Sequence, residues 1–219
     1  MHLQSLHPSS LIPNPIPNTQ YQIPRIPYLC RVKLIPMQSN ELLALINRRQ
    51  SQRSYTDKPV EKEKLLRCIE AARLAPSANN SQPWKFIIID DPELKNKVAE
   101  LTSSGVIPMN QFTKQAPVHV AVVREKTNLT TSVGRVLKDK NYPLIDIGIT
   151  TAHFCLQATA EGLSTCIIGW FDEKKEKELL HIPKSLRLEL IILVGYPSTD
   201  EIRKKKRKET EHILSYNGY

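Results

Sequence analysis

Residues 48–55 read Arg48-Arg49-Gln50-Ser51-Gln52-Arg53-Ser54-Tyr55. Three arginines and two serines within seven residues can chelate a phosphate: guanidinium forks supply paired donors, and a serine hydroxyl supplies a short third one. The same residues also read as a solvated basic helix end, where positive charge complements the helix dipole. A second cluster, Pro76-Ser77-Ala78-Asn79-Asn80-Ser81-Gln82-Pro83-Trp84, is dense in amides and hydroxyls and leads straight into an apolar run. A helix-to-strand loop needs no such supply of donors, so a ligand-facing role is expected. The third cluster is the unbroken basic run Arg203-Lys204-Lys205-Lys206-Arg207-Lys208. It could bind nucleic acid, mark nuclear import or be a solvated tail. No recognition helix, zinc finger or stacking platform accompanies it, and aromatic residues are only 6% of the chain.

Other chemistry-bearing residues read more blandly. Cys30, Cys68, Cys155 and Cys166 contain no C-x-x-C pair, so neither a zinc ribbon nor a disulfide scaffold is expected, and a reducing, cytoplasmic compartment is the default. His153 and Cys155 are two apart on a predicted helix and do not share a face, so no metal site is assigned. Cys166 reads as a small core residue, His119 as a structural histidine, and Trp84 and Trp170 as packing residues, with Trp170 near any cleft at Gly169. Gly134 is isolated and no G-x-G-x-x-G occurs, so a Rossmann dinucleotide domain is not supported. With 31 Lys+Arg against 22 Asp+Glu, the net charge of +9 suits an anionic ligand.

These clusters must be positioned by a folded domain, and its outline is legible. Composition changes near Met37: residues 1–36 hold seven of the sixteen prolines and no acidic residue, and stretches such as Ile12–Pro17 cannot propagate a helix. That extension is expected to be disordered or extended, and Met37 is itself a candidate start, residues 1–36 then being an upstream artefact. No apolar run approaches ~18 residues, so no membrane span is expected. From Met37 the chain alternates helices and strands. A helix capped by Ser39 or Asn40 carries Leu42, Leu43, Leu45 and Ile46; a second follows Pro59 and ends at Pro76. Trp84–Ile89 is a strand, Pro92 opens a third helix through about Leu101, and Val118–Val123 is another strand. Leu144–Leu163 places Ile145, Ile149, Ala152, Leu156 and Ala160 on one stripe, with an opposite side that is also largely apolar. Such a helix belongs in a core or a subunit interface. Strands at Thr165–Ile168 and Leu188–Val194 flank a helix around Asp172–Leu180. A core of this size buries roughly 70% of the unfolded chain's surface, so no metal or disulfide staple is required.

In order and spacing, the clusters resemble the nitroreductase-like FMN-dependent oxidoreductases. That family shows R-R-S-x-R-x-F/Y near its start and P-S-x-x-N-x-Q-P-W about thirty residues later. The resemblance continues through Asp146-Ile147-Gly148 and Glu161-Gly162-Leu163-Ser164-Thr165-Cys166-Ile167-Ile168-Gly169, and ends in Lys205-Lys206-Arg207-Lys208 followed by His212. It covers 37–219. It implies an α+β fold with three α/β/α layers, in which helices surround a mixed, mainly antiparallel sheet. It further implies bound FMN, NAD(P)H as a transient electron donor, a homodimer, and a small organic acceptor such as a nitro compound or quinone, reduced by a ping-pong cycle. By the same resemblance, Arg49 and Ser51 approach the phosphate and ribityl chain, and Arg53 the pyrimidine edge of the flavin. Gln50 stands where the family usually has Arg or His. Pro76, Ser77 and Asn80 reach the flavin from the other subunit, Asn110 matches a flavin-ring asparagine, and Ile168 and Gly169 match backbone donors near the ring. Lys205 and Arg207 match a basic pair that closes on the phosphate, which ranks flavin binding ahead of a solvated tail and of nucleic acid. No side chain is assigned as catalytic. The alternatives are a non-catalytic FMN-binding protein, a basic interaction module, or another branch such as a dehalogenase or dehydrogenase.

Overall fold

The computed structural model describes residues 38–103, 109–126 and 140–219. The proline-rich extension, Cys30, Met37 and Gly134 lie outside the described residues. Four strands form one sheet: β1 (Trp84–Ile89), β2 (Val118–Arg124), β3 (Ser164–Ile168) and β4 (Arg187–Gly195), in the order β1-β2-β4-β3. All three strand pairs are antiparallel. Among the described residues the parallel component is a single bridge, Ser51 with Thr165, at the outer side of edge strand β3.

Among the described residues five α-helices flank the sheet: α1 (Ser39–Arg48), α2 (Lys62–Arg73), α3 (Pro92–Thr102), α4 (Tyr142–Ala160) and α5 (Glu173–Leu179). The near-continuous apolar runs of β2 and β4 are buried on both faces, as central strands must be. On one face, Val118, Val120, Val122, Ile192 and Val194 meet Leu65, Cys68 and Ala72 of α2 and Ile147, Phe154, Cys155 and Ala158 of α4. On the other, Ala121, Val123, Ile191 and Leu193 meet Val98 of α3 and the half-buried Leu179 of α5. The strand period of two thus sorts alternate side chains into two cores, giving three layers.

Several local expectations are corrected. Ser39 and Asn40 lie inside α1; the residue before the helix is Gln38, whose N–H donates to the Glu41 carboxylate at 3.0 Å. A glutamate three residues in can thus anchor the start from inside the first turn. The α2 helix ends at Arg73, short of Pro76, because proline disfavours helical geometry in the residue before it. The α4 helix stops at Ala160, where Gly162 takes φ +75° and the Leu163 N–H donates back to Ala158 O at 2.8 Å.

The sequence left open which face of α4 meets the core, and the structure decides it. Ile145 is 54% exposed, Ala152 and Ala160 are exposed, and Ile149 and Leu156 are only half-buried. The core side instead carries Asp146, Ile147, Thr150, Thr151, Phe154, Cys155, Ala158 and Thr159. Two of its threonines find carbonyl partners. The Thr150 hydroxyl donates to Ala72 O at 2.7 Å, and Thr159 donates to Cys155 O at 2.9 Å. A threonine that bonds a nearby carbonyl brings its methyl into the core without an unpaired hydroxyl.

Candidate functional site

After α1 the chain leaves helical geometry at Arg49 (φ −60°, ψ 125°) and runs beside β3. Ser51 bridges Thr165, and the Gln52 N–H donates to Thr165 O at 2.9 Å. In such a segment residues two apart share a side, so the R-x-S-x-R spacing sends Arg49, Ser51 and Arg53 one way and Gln52 the other. Gln52 is buried; its amide donates to Ser54 O at 3.0 Å, and Tyr55 Oη donates to Gln52 O at 2.8 Å. This fixes the segment from behind.

The C-terminal chain closes the same site from the opposite direction. Leaving β4, it passes Gly195, where a Cβ would lie 2.6 Å from Pro117 and 2.9 Å from Tyr55, so only glycine fits. The Thr56 N–H then donates to Tyr196 O, and the Ser198 N–H to Ser54 O. Gln50 Nε2 donates to Glu201 O at 2.8 Å, and Arg203 donates through its N–H and Nε to Gln50 Oε1 at 3.2 and 3.3 Å. Arg203 also donates to Ser51 O, and Lys205 donates to Ile46 O and Asn47 O at the open end of α1. Burial, with Arg49 and Arg207 nearby, holds the Lys205 ammonium below its usual range. Arg49, Arg53 and Arg203 thus act on Cys166 of β3, and Arg49 and Arg207 act on Lys205, which links the five cations into one group. Among the described residues no ion pair joins any of them to a carboxylate.

At the floor lies Cys166, on which Arg53, Arg203 and Arg49 act and to which the Ser51 side chain hydrogen-bonds. Burial outweighs those cations and raises its thiol; burial also raises Cys155 and pushes Cys68 up to about 12. All three remain thiols at neutral pH, so none is an activated nucleophile. At the far end of β3, Ile168 is buried while Gly169 and Trp170 are exposed. Asn110, in the left-handed region at φ 63°, donates from Nδ2 to Thr102 O at 3.3 Å and to Trp170 O at 3.4 Å. Two residues on, the Phe112 ring centroid lies 5.8 Å from the Arg53 guanidinium. The expected residues Arg49, Gln50, Ser51, Arg53, Asn110, Ile168, Gly169, Lys205 and Arg207 thus share the surroundings of one edge strand.

Pro76, Ser77 and Asn80 do not join them. Their loop is held at the first half of α4, where the Ala78 N–H donates to Asp146 Oδ1 at 3.1 Å. Arg49 of the cationic group acts on Cys155, nine residues beyond Asp146 along that helix, about 14 Å at 1.5 Å per residue. The loop is strained: Asn79, Asn80 and Gln82 have φ of 51°, 51° and 44°. Asparagine tolerates this region, whereas glutamine there costs on the order of 1 kcal/mol. Internal bonds hold the shape, with the Gln82 N–H donating to Ser77 Oγ and Gln82 Nε2 donating to Asn80 Oδ1, each at 3.0 Å. Sequence reading missed Asp146 as the anchor of this loop and Arg203 as a member of the cation group. For Arg203 a signal existed, since in an extended run Arg203, Lys205 and Arg207 alternate onto one side.

Comparison with known proteins gives a consistent picture. The sequence model of the Nitroreductase family matches residues 46–196. An FMN reductase [NAD(P)H] of Bacillus subtilis is 30% identical over 196 residues, covering 82% of this chain and 75% of that protein. Iodotyrosine deiodinase 1 of Rattus norvegicus is 37% identical over 201 residues, covering 81% of this chain and 70% of its own. Among solved structures, an FMN-dependent nitroreductase from Clostridium difficile superimposes with a TM-score of 0.66 at 26% identity, covering 81% of this chain and 99% of that one. The described fold, with its antiparallel sheet between helical layers, is the nitroreductase fold. A family match spanning more than half the chain, on a fold of the same kind, makes this protein an oxidoreductase of the nitroreductase family.

Proposed function

We propose that the chain is an FMN-dependent NAD(P)H oxidoreductase, working as a homodimer on a small organic acceptor such as a nitro compound or a quinone. The observation that carries this is the set of five cations around Ser51 and β3, with no carboxylate paired to any of them among the described residues. A group of cations without carboxylate partners attracts an anion, and a terminal monophosphate with an anionic ring is such a ligand. When bound, FMN supplies the acceptance and delivery of a hydride. Arg49, Ser51, Lys205 and Arg207 would hold its phosphate end. Arg53 would stabilise negative charge at the pyrimidine edge, and the backbone at Ile168 and Gly169 would offer preorganised donors without adding charge. NAD(P)H would visit the cleft, leave, and be followed there by the acceptor.

The homodimer rests on two features. The α1 helix buries no side chain and exposes Leu42, Leu43 and Ile46, while α4 exposes Leu144 and Ile145 beside Gly148, Ala152 and Ala160. A second copy covering these faces would also bring its own Pro76–Asn80 loop to the cations, which the loop of the same chain does not reach along α4. The similarity to iodotyrosine deiodinase 1 favours reductive dehalogenation as the second reading.

The test is native mass spectrometry of the purified chain followed by anaerobic titration with NADH and NADPH. Two chains carrying two FMN are expected, with bleaching of the flavin absorbance by a reduced nicotinamide and its return on adding acceptor. FAD, or an absence of flavin, would overturn the cofactor. Flavin that does not bleach would leave a binding protein, and a flavin-loaded monomer would overturn the assembly. An acceptor panel including halogenated phenols separates the two reductions.

A further inference from the structure

We infer that Gln50 is a positioning residue that clips the C-terminal basic segment into place, so that Arg203 joins Lys205 and Arg207 as part of the anion site. The inference rests on the proposed FMN reading for what the site holds, but the clip itself does not depend on it.

Beyond Pro197 no side chain of the segment is buried. Apolar burial therefore does not fasten it to the domain, and its attachments among the described residues are polar. Gln50 alone supplies three of them: one from its amide to Glu201 O, and two received from Arg203 by its carbonyl oxygen. A primary amide is suited to this because it donates and accepts at once, pairing with a stretch of backbone as a strand neighbour does. The Arg203 guanidinium, held by Gln50 and by Ser51 O, is thereby brought to bear on Cys166 beside Arg49 and Arg53. Lys205 follows two residues on and caps the carbonyls of α1. The side-chain oxygen and one amide hydrogen of Gln50 thus face the protein's own tail.

An arginine at this position would reverse the outcome in a measurable way. Arginine has donors only, so it could reach Glu201 O but could accept nothing from Arg203, and its charge would repel that residue. If residue 50 faced the ligand phosphate instead, Gln50→Arg would add a favourable contact.

The experiment compares the full-length wild type with Gln50→Ala, Gln50→Arg and Gln50→Glu. Limited trypsin digestion, read by mass at residues 203–208, reports how often the segment opens, because cleavage of a transiently opened segment follows its open population. The FMN dissociation constant is measured across a KCl series. Both Gln50→Ala and Gln50→Arg should raise cleavage at 203–208 about tenfold, weaken FMN about tenfold, and flatten the salt dependence as the tail cations leave the phosphate. Gln50→Glu keeps the oxygen that accepts from Arg203, so its cleavage rate should return most of the way to wild type. Unchanged cleavage in both the Ala and Arg variants would overturn the clip. Tighter FMN binding and a steeper salt dependence in Gln50→Arg would place residue 50 against the phosphate and overturn it as well. A wild type that takes up no FMN would defeat the functional reading, while the cleavage rates would still decide the clip.

Discussion

Two buried carboxylic acids, Asp146 of α4 and Glu176 of α5, are 3% and 0% exposed, yet their surroundings differ. Asp146 accepts the Ala78 N–H, so it fastens the strained Ser77–Gln82 loop to the domain. Glu176 has no hydrogen-bond partner on either oxygen. It stands on the inward stripe of α5, among the half-buried Phe171, Leu179 and Leu180 that pack against Val98 and Ile182. Among the described residues no cation compensates it. Lys95 is spent on Lys114 O, Lys114 pairs with Glu100, Arg187 with Glu173, and Arg124 with Glu189. Burial and the neighbouring Asp172 carboxylate push its pKa up to about 8. A buried acid with a backbone partner organises a loop; one without a partner is a position where the fold tolerates a loss of stability.

The sharpest way to test this contrast is pH. Glu176 ionises near 4.5 when unfolded and near 8 when folded, so between those values the unfolded chain releases a proton that the native one keeps. Stability therefore falls as pH rises from about 4.5 and levels off above about 8, by at most on the order of 5 kcal/mol. Glu176→Leu should abolish that fall and fill the site with apolar volume. Urea midpoints at pH 5 and pH 8.5 should show a gain in the variant that grows with pH; an equal gain at both values would mean the carboxyl is not buried uncharged.

His119 offers an intermediate case of opposite sign. Its Nε2 donates to Thr113 O at 2.9 Å, its Nδ1 has no partner, and burial lowers its pKa to about 4. Here the unfolded state takes up the proton first, so stability is lost as pH falls from 6.5 to about 4, by on the order of 3 kcal/mol. His119→Gln should remove this contribution to the acid limb. Between about pH 4.5 and 6.5 the two slopes oppose each other, so a double variant with Glu176→Leu should change least in that window. A histidine NMR titration showing a midpoint near 6.5 would defeat this assignment.

The smallest effect belongs to Asp146. Asp146→Ala leaves the Ala78 N–H without its acceptor and should destabilise the protein by ~1–3 kcal/mol. Asp146→Asn keeps an acceptor oxygen and should lose less than ~1 kcal/mol by the same accounting. If both variants unfold at the wild-type urea midpoint, Asp146 does not anchor the loop and its likeness to Glu176 is closer than the hydrogen bond indicates.

Most secondary structure was legible because it follows local pattern: the valine-rich apolar run of β2, the helical spacing in α2, and the proline that opens α3 at Pro92. The R-x-S-x-R spacing and the basic run likewise named Arg49, Arg53, Lys205 and Arg207 before the fold brought them together with Arg203. The face of α4 was not legible. Both sides are apolar enough to be buried, and the choice depends on whether Thr150 and Asp146 find Ala72 O and the Ala78 N–H, groups far away in sequence. The role of Gln50 was hidden for the same reason, since its partners lie about 150 residues on. Glu176 sits in Glu-Lys-Lys-Glu-Lys-Glu-Leu, which reads as a solvated helix until α3 and β4 close over one side of it. Sequence alone determined which elements form and which charged groups the chain carries, because those depend on neighbouring residues. Only the tertiary structure decided which polar groups lose water and which partners they gain, because desolvation and hydrogen bonding are settled by whatever the rest of the chain packs beside them.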